Sequence, residues 1–397
     1  MKLFFASLKQ EICAKWRELT VLLLVNLFEL FALSSILVMM HPLWVILVSA
    51  LFLMPALALI IWCIKDSKPD KQDVKILFFI IGLSIIFGIM KSYLYVISLF
   101  IAYLFYKDKK QMYKWLFIIS SFSLILFIVL AMFRLMPDVA MLRYDEMWED
   151  VTNIRHTFGF NHPNHILKYV LATSVFGYMW LGDNKIHTLI FSICMLLITL
   201  WLGWITNCRT GMLVISVMLL LMNLPFLVNW FKPKRLIFVF ILMSFVMVAF
   251  MDIHEINVAL SGRPDWFNFF FENFSEYILL GKYYLMMLLK DFSIANYTLY
   301  PLDNDFLMTI FDGGLIALLV ITYFYYVAFE KATDKKLTVV IIGMFTYALT
   351  EAFELAFTYP IYIIMFVELV NRYMEDKPNI KLFKGKAKEI TNEKTPE

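Results

Sequence analysis

Charge is what this sequence has least of. Lys, Arg, Asp and Glu make up 17% of its 397 residues and hydrophobic residues 61%, whereas soluble globular chains average about 25% charged and 45–50% apolar. That balance excludes a soluble fold, and it excludes a disordered chain, which needs the opposite composition. Cysteine is scarce as well. Cys13, Cys63, Cys194 and Cys208 are scattered, three of them in or beside apolar runs, so no disulfide scaffold is built here. Arginine is scarcer still than lysine, eight against 27.

What the sequence has instead is long apolar runs. A bilayer core about 30 Å thick needs about 17–25 apolar residues in helical conformation. Twelve runs approach that length, at approximately 20–40, 43–64, 76–90, 92–106, 115–133, 166–182, 186–206, 212–231, 236–251, 306–329, 337–357 and 359–372. The expectation is an all-α polytopic membrane protein of about twelve transmembrane helices. The first run is too long for a cleaved leader and is followed by more spans, so it reads as a membrane helix.

Lysine and arginine concentrate in cytoplasmic loops. With both termini inside, 26 of the 35 cations fall in the N-terminal segment, the loops 65–75, 107–114, 183–185, 232–235 and 330–336, and the C-terminal tail together with Arg372 at its start. Two long loops are then external, 134–165 and 252–305. Three parts follow: 1–75, N-terminal membrane helices and a cytoplasmic loop; 76–372, a membrane core carrying both external loops; and 373–397, a basic cytoplasmic tail suited to anionic lipid. Five of the eight arginines, Arg134, Arg143, Arg155, Arg209 and Arg263, lie on the external side, which is poor in positive charge. Lysine suffices to set orientation. A planar guanidinium that donates a bidentate fork suits a carboxylate or phosphate, so the arginines point to an outward-facing anion site. The plainer reading is that some of them reach outer-leaflet phosphates or pair with loop acids.

Polar residues gather at the same boundary. The stretch Asn153 to His165 holds Arg155, His156, His162, Asn164 and His165 ahead of the sixth run. Asn161 or His162 with Pro163 suits a helix start, and Gly159 a tight bend, but capping leaves Arg155 and the histidines unexplained. The three histidines lack a metal-binding spacing, and no metal is expected. Thr206-Asn207-Cys208-Arg209-Thr210-Gly211 forms a tight external turn that puts a costly guanidinium at the membrane surface. The second long loop begins Ser261-Gly262-Arg263-Pro264-Asp265-Trp266 and continues with aromatic and apolar residues fit for interfacial helices. It ends in Asp303-Asn304-Asp305 before Gly313-Gly314; one acid or amide would cap the tenth helix, and the glycines would permit close helix packing. Glu351 and Glu354 would share a face near the outer half of the eleventh span. Glu29 in the first span is isolated.

Taken in order, Arg155 with Gly159-Phe160-Asn161-His162-Pro163-Asn164, then Arg209-Thr210-Gly211, Gly262-Arg263 with Trp266, and Asp303-Asn304-Asp305-Phe306-Leu307 with Gly314 resemble the O-antigen polymerase and ligase superfamily of bacterial cell-surface polysaccharide enzymes, specifically capsular and exopolysaccharide repeat-unit polymerases. The resemblance covers roughly 76–372. It implies a multi-pass protein of the bacterial cytoplasmic membrane that joins oligosaccharide repeat units carried on undecaprenyl diphosphate at the outer face, without metal or other cofactor. It implies a lipid-linked donor and acceptor, membrane lipid, a flippase and a chain-length regulator as partners, and no nucleic acid. Two departures stand out: Asp303 sits where the ligase branch has a histidine, and Cys208 where a serine is common.

The chemistry assigns roles. Charge building on the departing diphosphate calls for fixed guanidinium donors, here Arg155, Arg209 and Arg263. The incoming hydroxyl must lose a proton to a base, for which Asp303 ranks first, His162 second and Glu351 third, with Asn164, Asn304 and Asp305 in support. The competing expectations are a ligase-type glycan transferase with another acceptor and a polysaccharide transporter or flippase. Against the latter stand the lack of an internal inverted repeat and of paired broken helices.

Overall fold

Every buried helix start in an apolar medium needs an acceptor for its orphan N–H groups, and this chain supplies one repeatedly. Asp108, Asn184, Asn304 and Asp334 each accept from backbone N–H groups of the first turn they precede. A computed structural model describes residues 2–34, 42–66, 71–89, 93–138, 141–145, 150–249, 253, 275, 278–281, 304–351 and 359–375. Among these it places α1 (Lys2–Leu33), α2 (Pro42–Asp66), α3 (Lys71–Ile89), α4 (Tyr93–Phe105), α5 (Lys109–Met132), α6 (Pro163–Leu181), α7 (Lys185–Thr206), α8 (Arg209–Asn223), α9 (Pro233–Ala249), α10 (Asp305–Phe329), α11 (Lys335–Ala348) and α12 (Ile361–Glu375). Each overlaps one predicted run, in order. A two-stranded antiparallel hairpin, β1 (Met141–Asp145) with β2 (Asp150–Arg155), departs from the all-α expectation.

Among the described residues, four stretches have the length and apolarity to cross a membrane: Leu47–Ile64, Lys109–Met132, Lys185–Thr206 and Asp305–Phe329. Their outer faces carry large apolar side chains in the open, such as Leu51, Met54, Leu197 and Leu319. Water would not tolerate so much contiguous apolar surface. Several hydroxyls inside the helices bond to their own helix, as with Ser174 to the Val170 carbonyl, Thr199 to Met195 and Ser244 to Phe240, which spares these a partner in lipid.

Two predicted runs are shortened. α8 stops at Asn223 because Pro225 follows and the residue before a proline disfavours helix; a single 3₁₀ turn, Pro225–Val228, takes its place. α11 stops at Ala348, where the Leu349 and Thr350 N–H groups turn back to the Phe345 and Tyr347 carbonyls. Glu351 therefore lies beyond the helix rather than within it, and Glu354 is outside the described residues.

α6 and α12 form the centre. Residues 166–176 of α6 and 361–367 of α12 are buried on every side. Around them, α6 packs on α5, α7 and α8, and α12 on α4 and α10. α10 is broken at Gly314 (φ 75°), where the Leu315 N–H leaves the helix and donates to the Ile278 carbonyl. Gly281 (φ 74°) sits against the Asp312 backbone, so a side chain at either glycine would collide with the main chain opposite. This piece of the second long loop thus docks backbone to backbone against the middle of α10. Instead of only letting helices approach, Gly313-Gly314 admits a loop.

The polar side chains gather at the two ends. At one, Asp183 accepts from Lys336 at 2.6 Å and Lys110 at 3.3 Å. These hydrogen bonds hold its carboxyl below the usual range. Lys109 reaches both Glu368 oxygens at 2.7 Å, and Arg372 grips Glu330 and the Val327 carbonyl. The loops joined here, 107–114, 183–185 and 330–336, are three that charge assigns to one side. The start of α6 and the ends of α7 and α11 lie at the other.

Candidate functional site

Arg155 is the last residue of β2, so the hairpin delivers it to the start of α6. The turn that follows is held by Asp138. Its Oδ1 accepts from the Thr157 N–H at 2.7 Å, the Thr157 hydroxyl at 3.2 Å and the Phe158 N–H at 3.2 Å, while Oδ2 lies 2.6 Å from His156 Nδ1. Partial burial alone would raise this carboxyl; the hydrogen bonds from His156 and Thr157 outweigh it and hold it below the ordinary value. The chain then bends through Phe158 (φ 50°) and Gly159 (φ 81°). His162 caps α6, its Nδ1 accepting from the Asn164 N–H at 3.2 Å, with Pro163 in the first turn.

Half-buried Arg155 donates from Nε to the Thr206 carbonyl at 3.0 Å and from one terminal nitrogen to Asn164 Oδ1 at 2.7 Å. Asn164 is buried, and its amide nitrogen donates to Glu351 Oε1. The other oxygen of Glu351 faces Lys168 Nζ at 3.5 Å, both side chains being nearly inaccessible. One continuous line therefore runs from guanidinium to amide to carboxylate to ammonium, joining β2, α6, the end of α7 and the segment after α11. Asn207 in the left-handed conformation closes α7, and Cys208 precedes α8. Burial, then the nearby Glu351 charge, pushes the Cys208 thiol up to about 11. Arg209, the first residue of α8, is exposed at the same end.

Asn304 ties the tenth helix into this region. Its Oδ1 accepts from the Phe306 and Leu307 N–H groups at 3.1 Å and its nitrogen donates to the Leu349 carbonyl at 3.2 Å, two residues before Glu351. Asp305 is buried and accepts from the Tyr362 hydroxyl at 3.3 Å, which in turn accepts from Tyr95 at 3.2 Å.

The predicted set thus divides. Arg155, Asn164, Glu351, Asn304 and Asp305 come together at one end of the bundle, with Arg209 and His162 beside them; Asp303 and Arg263 lie outside the described residues. The three histidines take separate tasks: His156 meets Asp138, His162 caps α6, and His165 Nδ1 meets Asn161 at 2.6 Å. Because His162 Nδ1 accepts a hydrogen bond, the neutral ring carries its proton on Nε2, and acting as a base through Nδ1 would require releasing the cap. Among the described residues no cluster of His, Cys, Asp and Glu could hold a metal ion. Sequence reasoning missed two members. Lys168 was legible only as an external cation, although it sits four residues after Asn164; Asp138 carries no motif. Glu29 is not isolated: it is fully buried with Asn26 and Ser123, which bond each other, and its charge bears on Tyr169. No family model, no curated protein and no solved structure matches this chain.

Proposed function

We propose that the chain is a polysaccharide polymerase of the bacterial cytoplasmic membrane. It spans the bilayer about twelve times with both termini inside and transfers oligosaccharide repeat units from undecaprenyl diphosphate to an acceptor repeat unit at the outer face. The observation that carries the reading is the immobilised Arg155 fork at the end of the bundle where Lys168 and Arg209 also lie. A guanidinium fixed at two edges needs little reorganisation when charge develops on a leaving diphosphate, and electrostatic groups already in place lower such barriers most.

In the reaction the acceptor hydroxyl oxygen forms a bond to the anomeric carbon as the bond to the diphosphate oxygen breaks. The diphosphate keeps the electron pair, and the hydroxyl proton passes to a base. Direct displacement inverts the anomeric centre. Arg155 and Arg209, with Arg263, receive the diphosphate, and Asp303 takes the proton, next to the anchored Asn304. Asn164 and Asn304 hold the frame.

Purified protein given defined lipid-linked repeat units should convert them to longer chains. Arg209→Ala should abolish the product while membrane abundance stays unchanged. Normal chain length in that variant would remove the anion-site assignment. One observation favours a transporter instead, the break in α10 at Gly314, since discontinuous helices are a feature of transporters. Repeat units crossing a proteoliposome membrane without elongation would support that reading.

A further inference from the structure

Glu351 occupies an unusual place for an acid at an anion site. Each of its oxygens meets a donor, the Asn164 amide on one and the Lys168 ammonium on the other, and behind Asn164 stands Arg155 at 2.7 Å. A guanidinium and an ammonium are thus held on two sides of one small acidic group. Asn164 and Lys168 are one turn apart on the same face of α6, and side chains on a helix lean toward its N-terminus. Lys168 therefore projects toward the end of the bundle where Arg155 sits.

The pair is also loose. Lys168 and Glu351 stand 3.5 Å apart although nearly dehydrated. At the opposite end, Lys336–Asp183 and Lys109–Glu368 close to 2.6 and 2.7 Å, while Lys110, which shares Asp183 with Lys336, stands off at 3.3 Å; Glu351, shared between Asn164 and Lys168, likewise holds its ammonium at the longer distance. Finally, Glu351 lies on non-helical backbone past the last turn of α11, so it can withdraw without unwinding a helix.

From this geometry we infer that Glu351 is a resident stand-in for a phosphoryl group, and that Lys168 is a further ligand of the anion that displaces it. A carboxylate and a phosphate oxygen accept from the same donors. An arriving diphosphate would take over the Lys168 ammonium and the Asn164–Arg155 edge while Glu351 moves aside. The inference rests on the diphosphate-binding part of the proposed function and gives Glu351 the role of competitor rather than base.

The test is equilibrium binding of undecaprenyl diphosphate to the full chain in lipid nanodiscs, alongside the polymer assay. Glu351→Gln keeps the acceptor for Asn164 but removes the competing charge, and should bind about tenfold tighter than the native chain. The double variant Lys168→Met/Glu351→Gln, which buries no unpaired charge, should bind about tenfold weaker than Glu351→Gln. Unchanged or weaker binding by a folded Glu351→Gln protein would overturn the competitor role, and equal binding by the double variant would overturn the Lys168 role. Should Glu351→Gln fail to fold, Glu351→Ala takes its place with Lys168→Met/Glu351→Ala as its double variant and the same order expected: unchanged or weaker binding by Glu351→Ala than by the native chain overturns the competitor role, and equal binding by the two variants removes the Lys168 role. If binding follows the expected order but no polymer forms, the inference stands and the polymerase reading falls; if polymer forms and the order fails, the reverse holds.

Discussion

Asp138 shows how much one side chain can organise. It collects two backbone N–H groups, a hydroxyl and an imidazole from Thr157, Phe158 and His156, and so fixes the turn that follows Arg155. Because its carboxyl is held below the ordinary value, its contribution is fully present above about pH 4, the unfolded value, and is lost as pH falls through the lowered one. Protection of the Thr157 and Phe158 amides, measured against the intrinsic exchange rate, should therefore fall only at acid pH, and Asp138→Asn should remove that dependence. The same amides equally protected at pH 3 and pH 6 would contradict it. Arg155 and Asn164 were legible in the sequence because polar groups at a membrane boundary are few and each is costly. Asp138 and Lys168 were not. Asp138 acquires its role only once the hairpin has returned the chain to it, and Lys168 looks like any orientation-setting cation until Glu351 is brought across from the end of α11.

Helix starts were the most legible elements. His162-Pro163 and Asn304 cap where expected, because capping depends on two or three consecutive residues and nothing distant. Helix ends and interruptions needed partners that local sequence does not name. The shortened α11 puts Glu351 on irregular backbone, and the Gly314 break exists because residues 278–281 offer a carbonyl to the Leu315 N–H. Gly281 and Gly314 are two halves of one contact, each in the left-handed region and each facing main chain. Alanine at either position should cost about 2 kcal/mol or more, from backbone strain and overpacking combined. The double substitution should cost clearly less than the sum, since one displaced contact serves both. Thermal unfolding of the three variants in detergent would measure this; additive losses would mean that the two glycines act separately.

At the scale of the molecule, hydropathy and cation placement anticipated twelve helices in order, because both depend on composition along the chain rather than on tertiary detail. Their packing was not legible, since α6 and α12 look no more apolar than the helices that surround them. The ion pairs at Asp183, Glu368 and Glu330 join loops of one predicted side, and the Arg155–Asn164–Glu351 line joins segments of the other. Single cysteines at the exposed positions His156 and Lys185, in a background with Cys13, Cys63 and Cys194 replaced, should be labelled by an impermeant maleimide from opposite faces of the cell membrane. Cys208 can stay, because its buried thiol with a value of about 11 is almost entirely protonated and slow to react at neutral pH. Labelling of both positions from one face would undo the assigned orientation.

The central location of α12 bears on how the protein is made. Its residues 361–367 have almost no exposed surface, yet they follow every other described helix in the chain, and translation delivers segments from the N-terminus onward. The keystone of the bundle thus reaches the bilayer after the walls. Until it arrives, α4 and α10 lack the described helix that packs on both, and a ribosome stalled before residue 359 should leave an assembly more open to protease than the full chain.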